Sequence, residues 1–356
     1  MYTHNSLFLL TLASIQGLSS ACSRATYNAR VDGRYTIGRT VDFVTDTNTT
    51  FWAFPAGLER TGGVPENALN WTTKYGSIIA LMYNSAFTEG MNSEGLTGST
   101  LYLGDSVYPT RNTSIPGVYN TLWMGYVLDN YATVAEAAED ICGGAEKFQV
   151  VSKPVVPGVS TNLHVAFTDT TGDNLIMEYT EGELSCYHSP NYTVMTNEPA
   201  YNKQLAINAY WEEIANYSLP GTARPADRFA RLSFYNRYIP PANDSATAVS
   251  YTAGMMRAVS DPMIPLVSTN QAGTQDIWPT LWRTYIDIRD RVLYFESATS
   301  PMLFWFDFHD FDLSTSGETK VLSLIGTPWE SRVGNVTEDF VTVTDSAACA
   351  HIYTTC

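Results

Sequence analysis

The stretch LSSACSR at positions 18–24 follows an apolar N-terminal run, LFLLTLA at positions 7–13, and this junction decides how the rest of the chain is interpreted. Ser19 and Ala21 stand three residues and one residue before Cys22, the spacing of small residues that signal peptidase cleaves. The stretch therefore predicts a signal peptide at residues 1–21 and a mature chain that begins at Cys22.

Cleavage at this junction would give Cys22 both a thiol and a free α-amine. Reference pKa values of about 8.5 for a thiol and about 7.7–8.0 for an α-amine place both groups near neutral pH. One residue would then supply a nucleophile together with the base that activates it. The simpler alternative is that Cys22 is the first half-cystine of an exported protein.

The segment GRTVDF at positions 38–43 closes the second of two predicted strands and supplies charged partners for Cys22. An Asp-Gly pair at positions 32–33 predicts a hairpin whose second strand ends beside the start of the first. Arg39 and Asp42 follow Cys22 by 17 and 20 residues. A guanidinium there would favour the thiolate, and a carboxylate would hold the α-amine. The alternative for these two residues is an ordinary surface ion pair.

An N-terminal cysteine followed one hairpin later by GR-x-x-D resembles the choloylglycine hydrolase family of N-terminal-nucleophile cysteine hydrolases, which includes bile salt hydrolases and penicillin V acylases. The resemblance runs from Cys22 to about Leu313 and is most similar to penicillin V acylases of the Gram-negative type. It is carried by NWTTKYGS at 70–77, GLTGSTLYL at 95–103, MTNEP at 195–199, LPGT at 219–222, RPADRF at 224–229 and WRTY at 282–285.

The resemblance implies an α+β fold, a four-layer αββα sandwich of two antiparallel sheets flanked by helices. It also implies roles for site residues. Asn197 matches the asparagine whose side-chain amide binds the oxyanion, Tyr102 aligns with the residue whose backbone N–H is the second donor, and Arg228 matches an arginine near the nucleophile. Phe43 and Tyr102 match aromatic positions of the acyl pocket. The alternatives are a turn residue before a proline for Asn197, a strand aromatic for Tyr102 and a helix salt bridge for Arg228.

Composition favours a globular protein and disfavours two classes of partner. The 356 residues are 44% hydrophobic, enough for a large core, and carry a formal net charge of −16. Such a charge disfavours nucleic-acid and anionic-membrane partners, and no apolar run reaches the ~20 residues of a membrane span. Without a composition break, the sequence predicts one hydrolase domain at residues 22–327 and a C-terminal appendage at residues 328–356.

The predicted leader and the odd number of cysteines favour an exported protein, extracellular or periplasmic, and in a eukaryotic secretory pathway, though not in a bacterium, some of seven sequons would carry glycans. If Cys22 keeps its thiol, two disulfides can form among the four other cysteines, with proximity favouring Cys349–Cys356 and the pairing left open. These four are Cys142, Cys186, Cys349 and Cys356. The seven sequons begin at Asn48, Asn70, Asn112, Asn191, Asn216, Asn243 and Asn335.

A Cys186–His188 pair on one face of a strand is a competing candidate nucleophile, because a thiol beside an imidazole is also a common catalytic pair. A disulfide is the other possibility for Cys186. The remaining histidines show no metal-ligand spacing, and no glycine-rich phosphate loop is present. The sequence therefore predicts neither a metal nor a cofactor.

Hydrophobic periodicity divides the chain into alternating groups of strands and helices. Strands are predicted at 25–30, 35–43, 50–54, 77–83, 96–103, 163–169, 175–179, 193–196, 280–295 and 301–313. Helices are predicted at 118–131, 133–141, 201–215, 224–238 and 245–258, with Thr133 and Glu136 as a capping box. This order suits helices layered on antiparallel sheets.

The predicted function is hydrolysis of a linear amide bond in a small molecule by Cys22. Apolar or aromatic acyl groups are expected, as in penicillin V or acyl-homoserine lactones, ahead of bile salts and ceramide-type lipid amides. An inactive, secreted acyl-binding protein is the alternative from another class. A homo-oligomer is compatible with the resemblance, but the short interval from Asn197 to Arg228 lacks the oligomerisation loop of longer members, so a tetramer is not implied.

Overall fold

The structure, a computed structural model, describes residues 22–355 apart from 29–32, 34, 44, 145, 157–158, 215–217, 264–277 and 327–331. The predicted signal peptide, Asp32 of the predicted hairpin turn and Cys356 lie outside the described residues. Among the described helices, none combines the length and apolar character that crossing a bilayer requires.

Seven strands form one large sheet, sheet A, whose neighbours are antiparallel except for the last pair, which is parallel. In spatial order these strands are β16 (Val194–Met195), β1 (Ser23–Asn28), β2 (Tyr35–Asp42), β17 (Thr280–Asp287), β18 (Val292–Ser297), β19 (Leu303–Asp307) and β21 (Gly334–Asn335).

Nine strands form the second large sheet, sheet B, which is antiparallel throughout. In spatial order they are β15 (Glu183–His188), β14 (Asn174–Thr180), β13 (Leu163–Thr168), β8 (Thr97–Tyr102), β7 (Ala86–Asn92), β6 (Ser77–Met82), β3 (Thr50–Phe54), β20 (Lys320–Ser323) and β22 (Val341–Thr342).

Three short ribbons and a set of helices complete the described part of the chain. The ribbons pair β4 (Glu59–Thr61) with β5 (Asn70–Thr72), β9 (Gly117–Tyr119) with β10 (Gln149–Val151), and β11 (Pro154–Val156) with β12 (Val159–Ser160). The helices are α1 (Asn120–Asn130), α2 (Val134–Ala137), α3 (Tyr201–Ile214), α4 (Pro225–Tyr238), α5 (Ser245–Ala258) and α6 (Ser346–Ala350). A π-helical turn at Ala138–Cys142 follows α2, and 3-10 turns lie at Phe308–Asp310 after β19 and at Thr337–Asp339 between β21 and β22.

The two sheets pack face to face, with α4 and α5 against sheet A and α1 against sheet B. Successive residues of β2 face opposite sides of sheet A, and both sides are covered. Ile37 and Val41 belong to the apolar cluster between the sheets, whereas Gly38 lies against Met256 and Thr252 of α5. Separate apolar clusters fill the layers beneath α1 and beneath α4 and α5. The predicted αββα sandwich is confirmed.

Helix bounds follow the sequence pattern closely. The helix expected at 245–258 is observed at Ser245–Ala258, and the one expected at 224–238 begins one residue later, at Pro225. Thr133 caps α2 by accepting from the Glu136 N–H at 3.2 Å, as predicted. That helix, however, becomes a π turn after Ala137, and α1 starts at Asn120 because the preceding residues pair with β10.

The predicted C-terminal appendage is in fact part of the sandwich. β21 extends sheet A and β22 extends sheet B, so the last residues complete both large sheets. Phe340 is buried between the sheets, and Cys349 and Ile352 are buried beneath α1. The threonine- and alanine-rich composition suggested an appendage because short edge strands carry few apolar residues.

Candidate active site

The candidate site begins at Cys22, the residue directly before β1. Cys22 is 6% exposed and is not part of a disulfide. β1 pairs with β2 along its whole length, so that Ser23 lies opposite Thr40 and Arg24 lies opposite Arg39. The predicted hairpin therefore brings the end of β2 back beside the candidate nucleophile.

Arg39 points from β2 towards sheet B, where backbone carbonyls hold it. Its Nη1 and Nη2 atoms donate to the carbonyl oxygens of Thr88 at 2.9 Å and Thr100 at 2.7 Å. Its Nε atom lies 3.8 Å from Oε2 of Glu89, and both side chains are almost completely buried. These contacts fix the guanidinium between the two sheets.

Cys22 and Arg24 share this face with Arg39, because side chains two residues apart point the same way from an extended chain. Burial raises the pKa of Glu89 to about 6, while the charges of Arg39 and Arg24 oppose the rise. The layer between the sheets at this point thus contains two guanidinium groups and one carboxyl group. With both guanidinium groups and the carboxyl group ionised, this part of the layer carries a net positive charge.

Asp42 points from the opposite face of β2, towards the helices that cover sheet A. Its Oδ2 accepts a hydrogen bond from the Thr40 hydroxyl at 3.2 Å, and that hydroxyl accepts from the Ser23 N–H at 3.0 Å. Burial raises the pKa of Asp42 to about 7 against the opposing charge of Arg228. Arg39 and Asp42 therefore lie on opposite sides of the Cys22 region.

Arg228 of α4 is fully buried and bonds directly to the start of β1. Its Nη1 atom donates to the carbonyl oxygen of Cys22 at 2.7 Å and to Oγ of Ser23 at 2.5 Å. Its Nε atom donates to the carbonyl oxygen of Ala223 at 2.8 Å, and its Nη2 atom to Oδ1 of Asn197 at 2.7 Å. These contacts exclude the surface salt bridge that the sequence left open for Arg228.

Arg228 determines which way the Asn197 amide points, because a guanidinium can only donate and so faces Oδ1. The amide nitrogen then faces sheet B, where it donates to the carbonyl oxygen of Tyr102 at 2.8 Å. The amide carries a second N–H besides the one that meets Tyr102. Asn197 and Tyr102 therefore lie side by side, and the group of Tyr102 in contact is its carbonyl, whereas the role expected for Tyr102 uses its backbone N–H.

Three aromatic side chains pack together beside Asp42, and one of them belongs to the next residue in the chain. Phe43 meets Trp278 edge to face at 5.3 Å between ring centroids and meets Tyr83 at 6.4 Å. The backbone N–H of Phe43 donates to the carbonyl oxygen of Pro279 at 3.1 Å, which holds the two segments together. Phe43, which is half-buried, is thus one wall of an aromatic cluster at the end of β2.

Comparison with known proteins adds to this geometry. The profile of the linear amide C-N hydrolases, choloylglycine hydrolase family, matches residues 22–321 and so begins at the candidate nucleophile. The chain belongs to the choloylglycine hydrolase family. Membership shows that the protein is an enzyme that hydrolyses linear amide C–N bonds, for which a small-molecule amide is the fitting substrate.

Several members of this family resemble the chain over most of its length. Penicillin V acylase of Pectobacterium atrosepticum is 38% identical over 331 residues, covering 88% of this chain and 87% of that protein. Bile salt hydrolase/transferase of Clostridium perfringens is 26% identical over 234 residues, covering 57% of this chain and 68% of that protein.

Solved structures of the family share the fold. Penicillin V acylase from Agrobacterium tumefaciens superposes with a TM-score of 0.80 at 36% identity, covering 91% of this chain and 98% of that one. A variant of conjugated bile acid hydrolase from Clostridium perfringens superposes with a TM-score of 0.68 at 19% identity, covering 86% of this chain and 98% of that one. At 19% identity, the second similarity supports only a shared fold.

The competing Cys186–His188 site is excluded, because Cys186 forms a disulfide with Cys142 and has no thiol to ionise. His188 instead lies with Nε2 at 2.6 Å from Oδ2 of Asp173. Cys349 is also disulfide-bonded. Among the residues that the structure describes, no group of three or more His, Cys, Asp and Glu side chains could hold a metal ion.

Sequence reasoning missed four residues around the candidate site: Thr40, Glu89, Asp261 and Thr280. Glu89 carries a detectable signal, since it is the only charged residue of the seven-residue strand β7. Thr40 lies inside the quoted GRTVDF segment but has no property that marks it. Asp261 and Thr280 become recognisable only when β17 pairs with β2 and places Thr280 opposite Asp42.

Proposed function

We propose that the protein is exported, that it is cleaved after Ala21, and that the mature Cys22 hydrolyses amides with apolar or aromatic acyl groups. The observation that carries the proposal is the buried Arg228, which binds the carbonyl of Cys22 and the side chain of Asn197 at the same time. An arrangement that ties the nucleophile residue to an amide donor is what acyl transfer requires.

In the proposed reaction, the α-amine of Cys22 takes the thiol proton and the thiolate attacks the acyl carbon. The tetrahedral oxyanion accepts hydrogen bonds from the second N–H of Asn197 and from the backbone N–H of Tyr102. The protonated α-amine then donates its proton to the leaving amine, and a thioester remains. Water, deprotonated by the same α-amine, attacks the thioester and releases the acid with the thiol restored.

The charged residues have different proposed roles because they lie on different sides of Cys22. Asp42 lies on the helix-covered side, where a carboxylate holds the ammonium form of the α-amine. Arg39 lies between the sheets on the thiol side, where a guanidinium favours the thiolate. Arg228 orients Asn197, so its contribution is to position the oxyanion donor.

The aromatic cluster around Phe43 supports a flat, apolar acyl group such as phenoxyacetyl. Its edge-to-face rings at Tyr83 and Trp278 offer the contacts that aromatic groups prefer. The 38% identity to a protein named penicillin V acylase favours penicillin V, and acyl-homoserine lactones carry a comparable apolar acyl chain. Bile salts and ceramide-type lipid amides rank lower, since the bile salt relative shares only 26% identity.

The test combines intact mass of the protein from a host that exports it with a panel of penicillin V, an N-acyl-homoserine lactone and glycocholate. We expect a chain that begins at Cys22 and hydrolyses the first two substrates faster than glycocholate. The matched control is Cys22→Ala, which keeps the cleavage junction and removes the thiol. A retained leader on an active enzyme would overturn the mechanism, and a preference for glycocholate would overturn the substrate class.

A further inference from the structure

Two buried threonine hydroxyls hold Asp42 from neighbouring strands. Thr40 of β2 donates to Oδ2 of Asp42 at 3.2 Å, and Thr280 of β17, which pairs with Asp42 in the sheet, supplies a second side-chain hydrogen bond. Both threonines are completely shielded from solvent. Neither contact arises from the ladder hydrogen bonds of the sheet, because both use side-chain hydroxyls.

Each hydroxyl also accepts a hydrogen bond from a backbone N–H, which determines where its own proton points. The Ser23 N–H donates to Thr40 Oγ1 at 3.0 Å, and the Asp261 N–H donates to Thr280 Oγ1 at 2.9 Å. A backbone N–H can only donate, so each hydroxyl proton is available for the carboxylate of Asp42. The arrangement favours the ionised form of Asp42, because a carboxylate can only accept.

The surroundings of Asp42 make this hydrogen bonding important. Burial raises the pKa of Asp42 to about 7, and the charge of Asp261 beyond α5 adds to the rise. Arg228 of α4 and the two threonines lower it. In the mature chain, the α-ammonium of Cys22 would be a further positive charge on this side. The pKa of Asp42 therefore lies near neutral pH, where small changes in its surroundings decide whether the carboxyl group is ionised.

We propose that Thr40 and Thr280 are positioning residues that hold the Asp42 carboxylate ionised and aimed at the start of β1. Thr40 has a second task, because its oxygen anchors the backbone N–H of Ser23, the residue joined to the nucleophile. The inference rests on the proposed function, in which ionised Asp42 stabilises the protonated α-amine of Cys22.

The test is the pH dependence of kcat/KM for penicillin V hydrolysis from pH 5 to pH 9 in Thr40→Val, Thr280→Val and Thr40→Ser. Loss of either hydroxyl is expected to move the acid limb of the profile upwards by about one pH unit, the size expected for a hydrogen bond to a charged group. At pH 6 this corresponds to about tenfold lower kcat/KM, with recovery towards the wild-type value at pH 9. Thr40→Ser retains the hydroxyl and should keep the wild-type profile.

Thr36→Val is the matched control, since Thr36 lies on the same face of β2, is equally buried, and its hydroxyl has no hydrogen-bond partner among the described residues. Its profile should match the wild type. An acid limb that stays in place in Thr280→Val overturns the inference, even if Thr40→Val fails to fold. A uniform loss of rate at every pH also overturns it. Wild-type protein that hydrolyses none of the amides would instead contradict the proposed function.

Discussion

At the scale of single residues, Arg228 shows why this site needs arginine. Its guanidinium meets the backbone of Cys22, the hydroxyl of Ser23, the amide of Asn197 and the carbonyl of Ala223 through three different nitrogen atoms. A lysine ammonium is a point charge and cannot reproduce this planar arrangement of donors. Burial lowers the pKa of Arg228, and nearby carboxylates, Asp42 foremost, oppose that effect.

The first prediction at this scale concerns the two kinds of cysteine. Cys22→Ser should keep the fold and lose nearly all turnover, because an α-amine alone is a weak base for a hydroxyl. Cys186→Ser removes the disulfide to Cys142 and should retain most of the hydrolysis rate per folded molecule. The rates are to be compared after circular dichroism has confirmed folding. A fast Cys22→Ser enzyme would refute the assignment of the nucleophile.

The second prediction concerns the buried charge between the sheets. Glu89→Gln leaves Arg39 and Arg24 without their carboxylate neighbour and should lower the free energy of unfolding by about 3 kcal/mol. Glu94→Gln, an exposed change at the turn after the same strand, is the control and should stay within about 0.5 kcal/mol of the wild type. Urea titration measures both. Equal stabilities of the two variants would show that Glu89 does not balance the guanidinium groups.

At the scale of secondary-structure elements, β2 contributes to the site from both of its faces. Arg39 faces sheet B, whereas Thr40 and Asp42 face the helices, and both faces are buried. The helix-covered face also limits side-chain size. A Cβ atom on Gly38 would come within 2.5 Å of Cγ of Met256 and within 2.7 Å of Cγ2 of Thr252 on α5. The packing of α5 thus depends on a strand residue without a side chain.

This contact leads to a prediction about two glycines. Gly38→Ala should destabilise the protein by about 1–3 kcal/mol, because the added methyl group overpacks the strand–helix contact. Gly254→Ala in α5 meets nothing within 4 Å and should stabilise the helix by up to about 1 kcal/mol. Thermal unfolding of the two variants provides the measurement. A neutral Gly38→Ala would mean that α5 can move away from β2 at little cost.

At the scale of the whole molecule, the last part of the chain joins the two sheets. β21 adds to sheet A, β22 adds to sheet B, and Phe340 lies between them. The Phe340 ring packs against Phe306 at 5.1 Å and Phe311 at 4.8 Å between centroids. A segment that resembles an appendage in sequence thereby becomes part of the common core.

The prediction at this scale compares two neighbours in that segment. Phe340→Ala should lower the free energy of unfolding by about 3–5 kcal/mol, as expected for removing a buried aromatic side chain. Val341→Ala, at a position that is 61% exposed, should change it by less than about 0.5 kcal/mol. If denaturant titration finds both changes neutral, the C-terminal residues are not part of the cooperative unit.

The sequence by itself determined the elements and the chemistry available to them. Periodicity predicted α4 and α5 to within a residue, because one apolar face decides which residues of a segment form a helix. The same holds for the pairing of β1 with β2, which needs only a short turn. The family-like segments alone predicted Cys22 as the nucleophile and amide hydrolysis as the reaction.

Only the tertiary structure decided which of these residues act together. Arg228 and Cys22 are 206 residues apart, and no local pattern announces that contact. The pKa of Asp42 and the contacts of Arg39 with the second sheet likewise depend on distant partners. The physical reason is that burial, hydrogen bonding and charge are properties of a packed neighbourhood, which long-range strand pairing assembles from segments that are separate in the chain.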